Sequence, residues 1–352
     1  MSTMPALVFT APREGTNLQE IRRPEPGPGQ VLLEVAAVGV CGTDVHIWQG
    51  SFDLKGPVVL GHEFGGIVRA IGPGVEGVQI GERVVSETPF SVCGQCVYCR
   101  SGNYNVCPHR RGFGILADGA MATHVITRPA ILHRVPENVP MGHASLTEPA
   151  CVAYNAIMEK SRPRAGDHIV VIGPGPIGLM CTAIARLAGP SRLTVIGLRQ
   201  DGKRLELAKQ MGADEVIVAD EEDAVERVLS QGDGFGADLV IDAVGVSATL
   251  NQSLDLVRPN GQITKIGWGP HPVGFSLDRL ISKAATLQGS FSHTYTTWER
   301  VLTLMGSGIL DVSPLVNLYS LEEWEQGFHA METLDIPKAV LLPNGREIAD
   351  LA

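Results

Sequence analysis

Apolar residues in the second half of the chain gather into short runs: Ile169–Ile172, Leu193–Gly197, Glu215–Val218, Asp238–Asp242, Gln262–Gly267 and Thr286–Gly289. Each is too short for a helix and is bounded by turn residues, which predicts buried strands. The stretches between them, such as Lys203–Met211 and Thr249–Val257, read as helices. Strand–helix alternation of this kind predicts an α/β domain with a parallel, doubly wound sheet. The first ninety or so residues follow another pattern. Short apolar runs at Val31–Val35, Gly65–Ala70 and Gly81–Ser86 alternate with turn clusters at Pro24–Gly29 and Gly72–Gly77, which predicts an irregular, mainly β domain. Beyond about Ser290 the chain turns helical again and closes on the apolar run Ala339–Leu342.

One stretch sets the frame for the rest. His168–Gly189 reads as a buried strand, then Gly173-Pro174-Gly175-Pro176-Ile177-Gly178, then a helix whose apolar stripe is Ile177, Met180, Ile184 and Leu187. Strand, G-x-G-x-x-G turn and helix in that order predict a Rossmann dinucleotide site. Gly173 makes the tight turn, Gly175 lets the backbone approach a pyrophosphate, and Gly178 lets helix and strand lie close. The phosphates would meet the exposed N–H groups at the helix start, around Pro176 and Ile177.

Composition narrows the partners. The 352-residue chain is 44% hydrophobic and 19% charged, as expected of a globular protein with room for two domains. A net charge of −10 argues against nucleic acid or an anionic membrane as a partner. No apolar run is long enough to span a membrane and Met1–Thr10 has no signal-peptide core, so a cytoplasmic protein is expected. There the seven cysteines read as metal ligands or thiols before disulfides.

Metal chemistry is suggested at three places. Cys93, Cys96, Cys99 and Cys107 stand in one loop, a spacing that can close a tetrahedral structural zinc site. An iron–sulfur cluster has the same ligand requirement and stays open at this level. Val40–His46 offers Cys41 as a thiolate, Thr43 as a hydroxyl and His46 as a base; Gly61-His62-Glu63 offers an imidazole beside a carboxylate. Cysteine, histidine and carboxylate are the donors of catalytic zinc. Each residue alone has a plainer reading, a buried thiol or a satisfied histidine.

In this order, C-G-T-D-x-H at 41–46, G-H-E at 61–63, the four-cysteine loop and G-P-G-P-I-G at 173–178 closely resemble the zinc-dependent medium-chain dehydrogenases. The branch resembled is that of the sorbitol (polyol) and threonine dehydrogenases, over essentially the whole chain. The resemblance implies a discontinuous, mainly β GroES-like catalytic domain at 1–152 and 291–352, with a zinc lobe near 90–110, and a Rossmann domain at 153–290. It implies a catalytic zinc on Cys41 and His62 with Glu63 or Glu148, a structural zinc on the four loop cysteines, and a proton route through Thr43 and His46. Glu148, in Thr147-Glu148-Pro149, matches the polyol branch, where the alcohol dehydrogenases have cysteine. The implied activity is hydride transfer between a secondary alcohol, a polyol or sugar alcohol, and NAD or NADP. A threonine 3-dehydrogenase is the neighbouring alternative; a non-catalytic cofactor-binding protein is the alternative of another class. A homotetramer or dimer is implied by the family. Cys151 and Cys181 match no family role and read as buried thiols.

There are two departures from the family pattern. The acidic residue that ends the second strand of NAD-specific folds is replaced by Gly197, followed by Leu198, Arg199, Gln200 and Asp201. Arg199, Lys203 and Arg204 could hold a 2′-phosphate, whereas Asp201 would repel it and could take the ribose of NAD; NAD is slightly favoured. Asp201 also has the plainer reading of a residue that begins a helix. Where polyol dehydrogenases tend to carry arginine after the residue matching Phe291, this chain has Ser292 and then His293. That removes a donor for a substrate hydroxyl and puts sorbitol itself in doubt; His293 could replace the donor or be a loop histidine with no role.

Overall fold

The computed structural model describes residues 2–269 and 271–350; Met1, Leu351 and Ala352, the ends of the expected domain spans, lie outside them. The chain forms two compact units, one running to Glu148 and resuming at Thr294, the other spanning Pro149–His293.

In the second unit six strands form one parallel sheet, ordered Glu215–Val218, Arg192–Gly197, His168–Ile172, Ala237–Asp242, Val257–Lys265 and Thr286–Gly289. Counted along the chain this is 3-2-1-4-5-6, the doubly wound order expected. Val170, Ile172, Ile196, Ile217, Val240 and Ile263 build the core. The helix after the glycine turn runs Pro176–Leu187 and buries Leu179, Met180, Ile184 and Ala185. Leu187 departs from the expected stripe, since the final turn carries it out to the surface, where it is 37% exposed.

The first unit is built on a seven-stranded sheet centred on Val31–Gly39. Glu63–Ile71 and Lys338–Leu342 both pair with that strand, antiparallel and on opposite sides of it. Gly39 is therefore in register with Glu63 on one flank and Val340 on the other. Thr3–Phe9 pairs with Thr16–Arg22 and with the short strand Val58–Val59 that leads into Gly61-His62-Glu63. Several apolar runs extend further than their sequence suggests, because alanines and glycines such as Ala36, Ala37 and Gly39 are tolerated in a fully covered central strand.

Candidate metal centre and cofactor turn

Cys41 stands at the end of the loop after the central strand, where it caps the helix Gly42–Gln49 and donates its backbone N–H to Asp44 Oδ2 at 2.9 Å. His62 and Glu63 arrive from the neighbouring strand. The ligand atoms of Cys41, His62 and Glu63 lie within 4.8 Å of one another, with His62 and Glu63 buried. Glu148 is not in that cluster; it is buried at the start of the helix Thr147–Tyr154, where its Oε1 accepts a hydrogen bond from Thr88 Oγ1 at 3.0 Å. Its charge nonetheless reaches both His62 and Glu63.

Two residues absent from the sequence reading complete this centre. Asp44 is fully buried, with Oδ1 3.7 Å from His62 Nδ1, so it faces the side of the ring turned towards the helix. Lys338 is also buried; its Nζ donates to Glu63 Oε1 at 2.8 Å and lies 2.5 Å from Oε2. Burial pushes the Asp44 carboxyl above its ordinary range. Burial also opposes a charge on His62, yet Asp44, the Cys41 thiol and Glu148 hold its pKa well above the ordinary value. His62 Nδ1 and Asp44 Oδ1 are buried without hydrogen-bond partners among the described residues. A half-buried thiol with a buried imidazole and a buried carboxylate, converging amid surplus negative charge, is a donor set that fits zinc.

The four-cysteine loop fits zinc on distance alone. Cys93 Sγ lies 3.9 Å from Cys99 Sγ and 3.6 Å from Cys107 Sγ, and Cys96 Sγ lies 3.9 Å from Cys107 Sγ. Four sulfurs at the Zn–S bond length of about 2.3 Å would be about 3.8 Å apart, whereas a disulfide needs about 2.05 Å. Backbone N–H groups of Cys96 and Cys99 point at the Sγ atoms of Cys93 and Cys96, both at 3.4 Å. Backbone N–H groups of Gln95 and Cys96 pull the Cys93 thiol down to about 6, while burial beside its fellow thiols pushes Cys99 up to about 12. Four such thiols ionise together only around a cation. Cys99→Ala is expected to lose this ion and to cost stability first, lowering Tm in a melt with metal content measured alongside. An unchanged Tm and zinc content would show that the lobe holds no metal.

Thr43 and His46 lie three residues apart on the helix Gly42–Gln49 and so occupy one face of it. The helix is anchored by buried Trp48, which packs edge-on against Trp324 and Phe328 and carries the Arg13 guanidinium 4.1 Å over its ring. Glu332 accepts from Arg13 Nη2 at 2.7 Å and from Gln49 Nε2 at 2.8 Å. These bonds, the Arg13 one foremost, hold its carboxyl at about 2 against an ordinary 4.5. A depressed carboxylate adds stability that is fully present above its unfolded value and is lost as pH falls from about 4.5 towards 2. Glu332→Gln is therefore expected to lower stability at neutral pH, by no more than about 1 kcal/mol for a partly exposed pair. The difference from the parent should vanish across that acid window, as urea titrations at several pH values would show.

In the second unit the glycine turn has the shape that its sequence predicts. Gly173 has φ +92°, a Cβ at Gly178 would fall on the Gly173 carbonyl oxygen, and a Cβ at Gly175 would meet open space. Gly175 caps the helix and Pro176 opens it, followed by half-buried Ile177. A Cβ at Gly197 would stand 3.0 Å from Pro174 and Leu205, so a larger side chain there would need both neighbours to shift. Asp201 Oδ2 accepts the Leu198 N–H at 3.0 Å, closing the turn that precedes the helix Gly202–Gln210. Arg199 Nε stands 3.1 Å from Glu221 Oε1; Arg204 is buried, and Lys203 is exposed. Asp242, which the sequence reading passed over, ends the fourth strand and accepts from the N–H groups of Val244 and Gly245 and from Thr249 Oγ1, shaping the loop that touches Gly173. His293 is fully buried, as are Cys151 and Cys181, and burial pushes the Cys181 thiol up.

Comparison with known proteins agrees with this geometry. Residues 27–137 match the alcohol dehydrogenase GroES-like domain, and residues 176–307 match the zinc-binding dehydrogenase family. A sorbitol dehydrogenase of Halalkalibacterium halodurans is 39% identical over 97% of this chain and 99% of its own. An L-threonine 3-dehydrogenase of Pyrococcus horikoshii is 35% identical over 96% and 98% of the two chains. The solved structure of an alcohol dehydrogenase from Thermus sp. ATN1 superposes with a TM-score of 0.88 at 33% identity, covering 96% of this chain and 99% of its own. The chain belongs to the zinc-dependent medium-chain dehydrogenase family. It is an oxidoreductase that transfers hydride between an alcohol and NAD(P).

Proposed function

We propose that the alcohol is a secondary hydroxyl of a polyol or sugar alcohol. The observation that carries this reading is Glu148, a buried carboxylate anchored by Thr88 at the edge of the Cys41–His62–Glu63 cluster. It stands where the polyol branch has glutamate, and the sorbitol dehydrogenase relative supports the same class. Ser292, in place of an arginine donor, argues for a polyol other than sorbitol.

Cys41 and His62, with Glu63 or Glu148, would hold the zinc, which when bound acts as a Lewis acid on the substrate hydroxyl while the nicotinamide takes the hydride. The chain's own residues handle the proton. Thr43 accepts it from the substrate hydroxyl and passes its own to His46, whose exposed ring returns it to water. Lys338 holds Glu63 in place and opposes the burial that pushes its carboxyl above the ordinary range, and Asp44 orients the His62 ring. Cys93, Cys96, Cys99 and Cys107 would staple their lobe with a second zinc. Gly173, Gly175 and Gly178, with Pro176 and Ile177, would receive the pyrophosphate, and Arg199, Asp201 and Arg204 would face the ribose. NAD is favoured over NADP, since Glu221 already engages Arg199 and Asp201 would repel a 2′-phosphate. A cytoplasmic homotetramer or dimer belongs to the same proposal. No helix among the described residues is long and apolar enough to cross a membrane.

The test is the rate of nicotinamide reduction with NAD and with NADP over a panel of sugar alcohols, simple secondary alcohols and threonine. A rate on one polyol class above the rest is expected. Threonine alone as substrate would overturn the polyol reading in favour of the amino-acid branch, which the Pyrococcus relative represents. Silence on every polyol, with zinc and cofactor bound, would overturn it as well.

A further inference from the structure

His46 has two ring nitrogens, and a base needs one of them bare. Two neighbours decide which. His46 Nδ1 lies 3.4 Å from Gln49 Oε1 and 3.3 Å from Ser51 Oγ. Gln49 could turn its amide either way, but its Nε2 already donates to Glu332 Oε1 at 2.8 Å. A carboxylate only accepts, so the amide oxygen is the atom left facing the histidine. Ser51 Oγ also stands 3.2 Å from the His46 carbonyl oxygen, which can only accept, so a hydroxyl turned to that carbonyl leaves its lone pairs towards Nδ1.

We propose that Gln49 and Ser51, with Glu332 behind Gln49, are positioning residues that fix His46 in the tautomer with hydrogen on Nδ1. Nε2 is then the base nitrogen of the proton route. The inference rests on the reading that His46 carries that route. When the substrate O–H breaks, Thr43 takes that proton and gives up its own, which forms an N–H bond at Nε2 and later passes to water; Nδ1 keeps its own hydrogen and donates to Gln49 throughout. Neutral imidazole in water has no such enforced choice, and the second partner of a ring is what sets its tautomer.

The support is itself held in place. Glu332 is fixed from three sides: by Arg13 at 2.7 Å, by Gln49, and by His329 Nδ1, 3.0 Å from its Oε2. Its depressed pKa keeps it an acceptor at every working pH, so the Gln49 amide has no reason to flip. Thr43, His46 and Gln49 recur every three residues along one short helix, so the route and its support share one face. Trp48, from the same helix, packs 4.7 Å from the His329 ring and beneath Arg13, which ties both of these Glu332 partners to the helix that carries His46.

The experiment uses zinc-loaded protein labelled with ¹⁵N-histidine, with His46→Gln to assign the signal, at an alkaline pH where histidine is neutral. The two ring-nitrogen shifts should show hydrogen on Nδ1 in the parent. In the double variant Gln49→Leu/Ser51→Ala that preference should be lost, and kcat should fall about tenfold with KM nearly unchanged. Hydrogen on Nε2 in the parent overturns the inference. So does a variant that loses the tautomer without losing rate, or loses rate without losing the tautomer. Failure of the underlying reading looks different: His46→Gln would then keep full kcat.

Discussion

Cys41→Ala is expected to abolish turnover and leave the fold standing. The thiol is the soft donor of the Cys41–His62–Glu63 cluster, and without it the cluster retains an imidazole and a carboxylate already shared with Lys338. That set binds zinc much more weakly, and loss of the Lewis acid should cost about 10³-fold or more in kcat/KM. The fold should survive, because what Cys41 gives the helix is its backbone. Its N–H to Asp44 Oδ2 and its carbonyl, which accepts from Asp44 and Val45, do not need the side chain. The side chain is also only half-buried, so little packing is lost. Metal analysis should find the catalytic zinc gone and the lobe's zinc retained, with Tm little changed. This is the reverse of the result expected for Cys99→Ala. Full activity in Cys41→Ala would mean that zinc chemistry does not run through this residue.

Much of this was legible in the sequence, and the parts that were not share a physical cause. The parallel sheet could be read because each of its strands is a short apolar run between turn residues, and Glu215–Val218 and Thr286–Gly289 stand at the expected bounds. The glycine turn could be read because its chemistry is local: six consecutive residues must pass under a pyrophosphate. The four-cysteine loop is similarly close-knit, with all ligands inside one short segment. Asp44 and Lys338 were missed for the opposite reason. Asp44 sits in the motif C-G-T-D-x-H, yet its partner His62 arrives from another strand, so the meeting is tertiary. Lys338 precedes the apolar run Ala339–Leu342 and looks like the solvated end of a strand. Only the pairing of that strand beside Gly39 carries it against Glu63, some 275 residues away in the chain. The Arg199–Asp201 loop stayed ambiguous because loop charges have no period to read; their roles come from contacts such as Arg199 with Glu221.

Lys338→Met should be the most destabilising change to the centre that removes no ligand. Methionine keeps the length and apolar stem of lysine, so the packing between the central strand and Glu63 changes little. What is lost is the charge. Glu63 is almost completely buried, and its carboxylate faces Glu148 and the Cys41 thiol, with Lys338 and the less direct His62 offsetting them. Gly39 has no side chain to lend, and a Cβ there would collide with Glu63 Oε2, so this flank of the carboxylate offers no replacement for the ammonium. Removing one partner of a buried pair leaves the other uncompensated, at a cost of about 3–5 kcal/mol. The expected result is a fall in stability of that order in the zinc-free protein, and a smaller fall with zinc bound, where the metal supplies part of the missing positive charge. Adding Glu63→Gln to Lys338→Met should recover much of the loss, because a neutral amide in the same cavity leaves no charge to compensate. Urea midpoints of the two single variants and the double variant, with and without zinc, measure that coupling. If Lys338→Met is as stable as the parent in the absence of metal, Glu63 is held without the lysine and the ion pair plays no part in building the centre.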